Sequence, residues 1–360
     1  MHWFVSICGL AVVAALPLQA AAQDTEHPPP VHQSAADDSA SGPTIHFRGF
    51  MDVNYSHTDP PRSPDAFALG QFVAHITSTL GNKVVFFGET SFTAQPDAFA
   101  VEVERAILRY DYNDHLKISA GRYHTPINYW NTAYHHGLWL QTPIARPEMI
   151  RGGGTFQPVH FVGVLAEGNI SSPTVGLGYN VGVGNGRGAV LSRAGDAGDV
   201  NRSRAWVAKL FSRPAGVPGL EFGGALYRDV VPLEETADGA ERIVSGYVAL
   251  AREMPEIIAE FTHVLHADHA TGRDFNSHGF YVHAASRLPP WPKWKPYGRI
   301  ELLRPDEDDP ILKGTRTTVL TLGARYELSD FAAVKAEYRR QTHVDAPRSN
   351  GLYLQAAFTF

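Results

Sequence analysis

The chain has 360 residues, a formal net charge of −6 and a single cysteine, Cys8, and 44% of its residues are hydrophobic. Beyond residue 22, no stretch approaches the roughly 18 consecutive apolar residues of a membrane-spanning helix, so this chain can cross a membrane only as strands. The negative charge gives no indication of nucleic acid as a partner, and a lone cysteine excludes an intramolecular disulfide.

The start of the chain predicts export. Residues Trp3 to Leu18 form a short apolar core, and Ala20 to Ala22 supply the small residues that suit signal-peptidase cleavage, although no Lys or Arg precedes the core. Residues 23–43 are rich in Pro, Ser, Ala and Asp, a composition typical of a disordered periplasmic leader. The sequence therefore predicts a signal peptide at 1–22, a leader at 23–43 and an all-β domain at 44–360.

From residue 44 onward, apolar and polar residues alternate with a period of two, which predicts about sixteen β-strands. We place them near 44–56, 67–80, 82–93, 98–111, 115–124, 156–169, 173–184, 203–213, 219–231, 242–253, 256–266, 277–288, 294–305, 314–327, 330–342 and 350–360. The fourth of these segments breaks the alternation, because Glu102 and Glu104 are out of phase with Arg105. That break predicts a β-bulge.

The connections between the strands alternate in length. Those after even-numbered strands are tight, as at Gly81-Asn82 and Met254-Pro255. Those after odd-numbered strands are longer and more polar, such as Pro232–Glu241, and the third, Thr125–Thr155, is the longest. Short turns on one rim and long loops on the other, with both termini at the short-turn rim, are the layout of a closed antiparallel transmembrane barrel. A soluble exported β-sandwich is the alternative, but it would not be expected to sort its loops in this way.

The alternation assigns residues to two faces of the barrel. The predicted lipid face includes Leu320, Leu322, Ala324, Val334, Leu354 and Phe358. The predicted lumen-lining set is Arg48, Lys83, Arg325, Lys335, Glu337 and Arg339, and Glu260 and Arg299 also fall on this face. Charged side chains in a dry core would be costly, so these residues imply a wet interior.

The last strand ends on Phe360, which resembles the C-terminal signal that outer-membrane proteins present to the barrel-assembly machinery. With an exported start, about sixteen strands and a long third external loop, the chain resembles a bacterial outer-membrane porin of the 16-stranded type. The stretch from Gly121 to Ile127 is distantly similar to a region of phosphate-selective and related substrate-specific porins, and we carry no phosphate site over from it.

The resemblance implies a passive channel in the outer membrane with a third loop that folds inward and narrows the pore. It implies a homotrimer, with outer-membrane lipids, the barrel-assembly machinery and small solutes as partners, and it implies neither a cofactor nor an enzymatic activity.

The third loop is unusually aromatic for an external loop, which indicates that it packs against something. Its pore-constriction candidates are Tyr129, Trp130, Tyr134, His135, His136, Trp139, Arg146 and Arg151. One interpretation is an eyelet of rings, imidazoles and guanidinium groups; the other is packing against the inner wall without a ligand role. Because Arg146 and Arg151 outnumber Glu148, the loop predicts a weak preference for anions.

Two further classes stay open as alternatives, an outer-membrane enzyme of the lipase or protease type and a structural or adhesive barrel. Lipase and protease chemistries need an oriented nucleophile or paired acids, and the sequence lacks a local signature such as Gly-x-Ser-x-Gly, so no catalytic residue is predicted. His263, His266 and His269 recur every three residues. On a strand this spacing alternates faces, so no metal site is predicted.

Overall fold

The computed structural model describes residues 43–59, 65–134, 139–151, 154–234, 237–312, 316–344 and 347–360. The predicted signal peptide and nearly all of the leader, residues 1–42, lie outside this part of the chain. No helix among the described residues has the length and hydropathy required to span a membrane.

Sixteen antiparallel strands form one closed barrel, in which every strand pairs with its sequence neighbours and β1 pairs with β16. The strands are β1 (Thr44–Asp59), β2 (Ala66–Thr79), β3 (Val84–Ala94), β4 (Phe99–Asn113), β5 (Leu116–His124), β6 (His160–Asn169), β7 (Leu177–Asn185), β8 (Ala205–Ser212), β9 (Leu220–Glu234), β10 (Ala237–Leu250), β11 (Glu256–Asp268), β12 (Asp274–Ala285), β13 (Trp294–Arg304), β14 (Thr317–Ser329), β15 (Ala332–His343) and β16 (Ser349–Thr359). A single-turn helix α1 (Trp130–Ala133) and a 3-10 turn (Glu148–Ile150) lie between β5 and β6. The predicted closed barrel and its strand count are confirmed.

The two faces of the strands separate as the alternation predicts. On β14, Leu322 keeps 51% of its surface exposed, whereas the adjacent Thr321 is 0% exposed. On β15, Lys335 and Glu337 are buried on the inner side, and Val334 between Ala333 and Lys335 points outward. The barrel therefore presents apolar side chains on its outside, as a strand-built membrane protein must.

The predicted β-bulge in β4 is confirmed. The register between β3 and β4 shifts between Glu89 and Thr90, and Glu104 is the extra residue that the bulge adds to β4. The bulge turns Glu104 inward, where its carboxylate accepts a hydrogen bond of 2.6 Å from the Ser91 hydroxyl.

The predicted loop Pro232–Glu241 is wrong. β9 continues to Glu234 and β10 begins at Ala237, and Pro232 pairs with Asp238. Polar residues do not end the strands here, because the backbone hydrogen bonds between antiparallel strands do not require apolar side chains, and Asp238 in this pairing is exposed. Conversely, the sixth strand begins at His160 rather than near 156, because the residues before it are buried in the barrel interior.

Phe360 takes part in the closure of the barrel between β1 and β16. Gly49 and Phe360 exchange two backbone hydrogen bonds, of 2.9 and 3.0 Å. The Phe360 ring stacks on that of Phe72, with the centroids 5.9 Å apart. A Cβ atom on Gly49 would lie only 2.3 Å from the Phe360 ring, so a residue without a side chain is needed there.

Candidate functional site

The connection between β5 and β6, residues 125–159, is here called the third loop. Its described residues, 125–134, 139–151 and 154–159, lie inside the barrel. Its hydrogen bonds reach β8 and β11, and then β13, β14 and β15. In a ring of sixteen strands, β13 to β15 are on the wall opposite β5 and β6. The third loop therefore crosses the lumen from one wall to the other.

The first attachment of the third loop is centred on Glu260 of β11. One carboxylate oxygen of Glu260 accepts hydrogen bonds from the backbone N–H groups of Tyr129 (2.9 Å) and Trp130 (2.6 Å), at the start of α1. The Asn128 amide donates to the Thr262 hydroxyl at 2.8 Å. Asn128 has a φ of 64°, a left-handed conformation that asparagine tolerates better than most residues, and this turns the chain into the lumen.

The second attachment uses cations of the far wall. Arg299 donates to the Ala145 carbonyl oxygen at 2.8 Å, and Lys335 donates to the Gln141 carbonyl oxygen at 2.9 Å. Arg325 donates to the same Gln141 oxygen at 3.1 Å. These side chains lie on the inner face, as the sequence predicts, but they hold the backbone of the third loop. Glu337, an acidic residue of the same wall, accepts a hydrogen bond of 2.9 Å from the Ile144 N–H group.

Most of the predicted aromatic candidates are packed between these attachments. Tyr129 and Trp130 are 3% and 0% exposed, and Trp130 meets the Tyr281 ring edge to face. Tyr134 packs against both Tyr129 and Trp130, and burial raises the pKa of its hydroxyl well above the usual range. The Trp139 ring lies under the Arg325 guanidinium. Packing, the simpler of the two interpretations, accounts for these four rings, and their role at a constriction stays a prediction.

The charged candidates of the third loop have different surroundings. Arg146 is half-buried, and desolvation lowers the pKa of its guanidinium even though the nearby carboxylates of Glu104 and Glu89 act to raise it. Arg151 is 65% exposed and pairs with Glu148 at 3.6 Å. His135 and His136 lie outside the described residues.

The predicted lumen-lining residues occupy different positions in the structure. Arg325, Lys335 and Glu337 are buried on the inner wall, and Arg339 contacts Glu337 at 3.4 Å. Arg48 lines an open cavity, whereas Lys83 lies in the turn between β2 and β3, where its ammonium donates to the Tyr112 carbonyl oxygen. The strand begins at Val84 rather than near 82, so the prediction that Lys83 lines the lumen wall is wrong.

A cavity of about 740 Å³ lies between the third loop and the wall formed by β1 to β9. We call it the vestibule, because it extends from the third loop to residues such as Ile45 and Arg213 at the short-turn rim. Its charged lining residues are Arg48, Arg105, Arg109, Lys209, Arg213, Glu167 and Glu221. Its aromatic lining includes Phe50, Phe87, Tyr123, Tyr129 and Phe211.

Ion pairs neutralise most of the charge at the vestibule wall. Arg213 meets Glu221 at 2.7 Å, and Arg109 meets Asp111 at 2.6 Å. Arg48 is exposed and has no ion pair with any residue in the part of the chain that the structure describes. Arg48 is therefore the vestibule cation whose charge is least compensated.

A second buried network, at the long-loop end, was not anticipated from the sequence. Arg187 meets Glu241 at 2.8 Å, and His266 lies between Glu241 (3.0 Å) and Asp309 (2.7 Å). The network fixes the connections that carry Arg187 and Asp309 to the wall. Because both ring nitrogens of His266 face carboxylates, this histidine is not placed to activate a nucleophile.

Glu102, Glu104 and His160 bring their ligand atoms within 4.8 Å of one another, a spacing that would suit a metal ion. Arg122 occupies this position, with its guanidinium 3.1 Å from Glu102 and 3.7 Å from Glu104. A second cation would be repelled there, so we interpret the group as an ion-pair network.

No protein-family model matches the sequence, and no curated protein matches it. Solved structures do match. The anion-selective porin from Comamonas acidovorans superimposes with a TM-score of 0.65 at 11% identity, covering 88% of this chain and 100% of its own. The outer-membrane channel DcaP of Acinetobacter baumannii has a TM-score of 0.60 at 12% identity, covering 91% and 100%. The trimer form of OmpT from Vibrio cholerae has a TM-score of 0.60 at 14% identity, covering 89% and 100%.

At these identities the likeness establishes the fold alone. The chain has the fold of the 16-stranded outer-membrane porins, and the resemblance predicted from the sequence is confirmed at that level.

Proposed function

We propose that the protein is a passive diffusion channel of the bacterial outer membrane for small hydrophilic solutes or ions, with a weak preference for anions. One observation carries this proposal: the third loop leaves the wall at β5 and is held across the lumen by Glu260 of β11 and then by Arg299 of β13 and Lys335 of β15. A loop fixed across the lumen reduces the open cross-section to the space on its vestibule side, as a constriction requires. On this proposal the protein is not an enzyme and needs no cofactor.

The preference for anions is supported by the vestibule. Its lining carries more cationic than anionic side chains, and Arg48 has the least compensated charge. The local field at a narrow passage, rather than the net charge of the protein, sets which ions enter. A structure with the same fold is described as an anion-selective porin, which agrees with this preference.

Export, assembly and oligomeric state complete the proposal. A signal peptide would direct the chain to the periplasm, and the barrel-assembly machinery would recognise Phe360. The apolar outer face would contact outer-membrane lipids. A homotrimer is proposed because a solved protein of the same fold is described in a trimer form.

Reversing the charge of Arg48 tests the anion preference. In a planar bilayer under a salt gradient, Arg48→Glu is expected to move the reversal potential toward cation preference, because the substitution places a carboxylate in the vestibule. Lys83→Glu is the matched control, since it makes the same charge change at the same rim but outside the vestibule lining. Equal shifts of the reversal potential for the two variants, or no shift for Arg48→Glu, would contradict a role of the vestibule in ion selectivity.

Deleting Phe360 tests the assembly signal. The truncated chain is expected to insert into the outer membrane far less than the full chain, measured by pulse-labelled export and heat-modifiable migration. Gly49→Val is the companion variant, because its side chain would push against the Phe360 ring while leaving the terminal residue in place. If both variants insert equally poorly, packing rather than recognition explains the loss. Wild-type insertion of the truncated chain would contradict the signal outright.

A further inference from the structure

Two arginines on the outer surface face each other across neighbouring strands. Arg228 of β9 and Arg242 of β10 are directly opposed in the antiparallel register. Both are exposed, while the residues on either side of them, such as Tyr227 (2%) and Glu241 (0%), are buried on the inner face. The two guanidinium groups therefore point away from the lumen on adjacent strands.

This arrangement is unfavourable unless something compensates it. Like charges directly opposite each other on a sheet repel, and their Cβ atoms are only about 5 Å apart. Neither side chain has a hydrogen bond or ion pair with any residue of the described ranges. Among the side chains that the structure describes on β9 to β12, the outward acids on this side are Asp238 and Asp274. They lie four residues from Arg242 and His278 along their strands, about 13 Å further toward the long-loop rim.

The height of the pair on the barrel is informative. Between Arg228 and the short-turn rim, the outward residues of β9 are apolar or glycine, and Leu226 (49% exposed) is the nearest to Arg228. On β10 the outward residues that follow Arg242 are also apolar or glycine, beginning with Val244 (48% exposed). Arg228 lies eight residues from Leu220, the start of β9, which corresponds to a height of about 20 Å for a tilted strand. The apolar band of such barrels is about 25 Å tall. The arginines therefore lie at its upper border, where lipid headgroups meet acyl chains.

Neighbouring side chains fit the same level. Trp206 pairs with Arg228 and is 40% exposed, as expected of an aromatic residue at a membrane interface. On the next two strands, His263 and His278 pair with each other on the outer face, and Nε2 of His263 lies 3.1 Å from the Asn276 side-chain oxygen. We call Arg228, Arg242, His263 and His278 the cationic patch.

We propose that the cationic patch binds the phosphate groups of a phosphorylated lipid of the outer leaflet, of the lipopolysaccharide class. A phosphate between Arg228 and Arg242 accepts hydrogen bonds from both guanidinium groups and removes their repulsion. The acyl chains of the same lipid then lie on the apolar residues below. This inference depends on the outer-membrane location in the proposed function, but not on conduction.

The experiment measures the thermal midpoint of purified, lipid-stripped protein in detergent with bisphosphorylated lipid A, dephosphorylated lipid A or inorganic phosphate. Only bisphosphorylated lipid A is expected to raise the midpoint of the wild type. The double variant Arg228→Gln, Arg242→Gln is expected to bind it about tenfold or more weakly. Without lipid, the double variant should be at least as stable as the wild type, because the repulsion is gone.

Arg316→Gln is the matched control, since Arg316 is an exposed arginine near the same rim that already pairs with Glu307 at 3.4 Å. It should bind the lipid as the wild type does. Unchanged binding by the double variant would overturn the proposal, and so would an equal midpoint shift with inorganic phosphate. An oligomer that dissociates in the lipid-free double variant would assign the patch to a second copy of the chain instead. Conductance of the same proteins is measured separately, so a failed channel leaves this test intact.

Discussion

Removing Asn128 to Gln141 from the third loop is expected to increase single-channel conductance by about twofold or more, because conductance follows the narrowest cross-section of a pore. The deleted segment carries α1, the Trp130 ring and both N–H groups that donate hydrogen bonds to Glu260. The measurement is the conductance of purified protein in a planar bilayer.

Two comparisons make this prediction sharp. Deleting His269 to Gly272, an exposed turn between β11 and β12, shortens an external connection without touching the lumen and should leave conductance unchanged. A less severe variant, Glu260→Gln, weakens the first attachment while keeping every residue of the loop, and should give frequent transitions to larger conductance levels. If the deletion variant conducts as the wild type does, the third loop is not the constriction.

Leu322→Arg is expected to lower the free energy of unfolding by about 2 to 4 kcal/mol, since it places a guanidinium near the middle of the lipid-facing band. Leu322 lies at the centre of β14 on the outward face, and 51% of its surface is exposed. Reversible urea unfolding in lipid vesicles measures the effect. The control is Thr318→Arg, on the same strand and face but close to the long-loop rim, where the cost should fall to about 0 to 1 kcal/mol.

The contrast between the two arginine variants is the critical result. Equal losses of unfolding free energy for Leu322→Arg and Thr318→Arg would contradict the prediction that only Leu322 faces the apolar centre of the membrane. A larger loss at Thr318 would reverse the assignment of the band altogether.

The attachments of the third loop explain why so much charge is buried inside this barrel. A buried charge without partners is costly, whereas one that receives several hydrogen bonds is tolerated. Arg299 is 2% exposed and donates to the Glu301 carboxylate as well as to the loop carbonyl oxygens. The inner wall thus supplies to the third loop the hydrogen bonds that water would supply to a loop on the surface.

The sequence determined the class of fold. An alternation of period two tells which side of a strand each residue occupies, and this was sufficient to place Leu322 outside and Lys335 inside. The break of phase at Glu104 was sufficient to predict the bulge in β4. Such features are local, because they depend only on neighbours a few residues apart along the chain.

The tertiary structure decided what the inner residues contact. Glu260 and Tyr129 are separated by 131 positions, and Arg299 and Ala145 by 154, and no periodicity relates residues so far apart. The same holds for Arg187, Glu241 and His266, which come together from separate connections and strands. Alternation fixes the face on which a charge lies, but only the path of the third loop across the lumen decides whether that charge meets water or a backbone carbonyl.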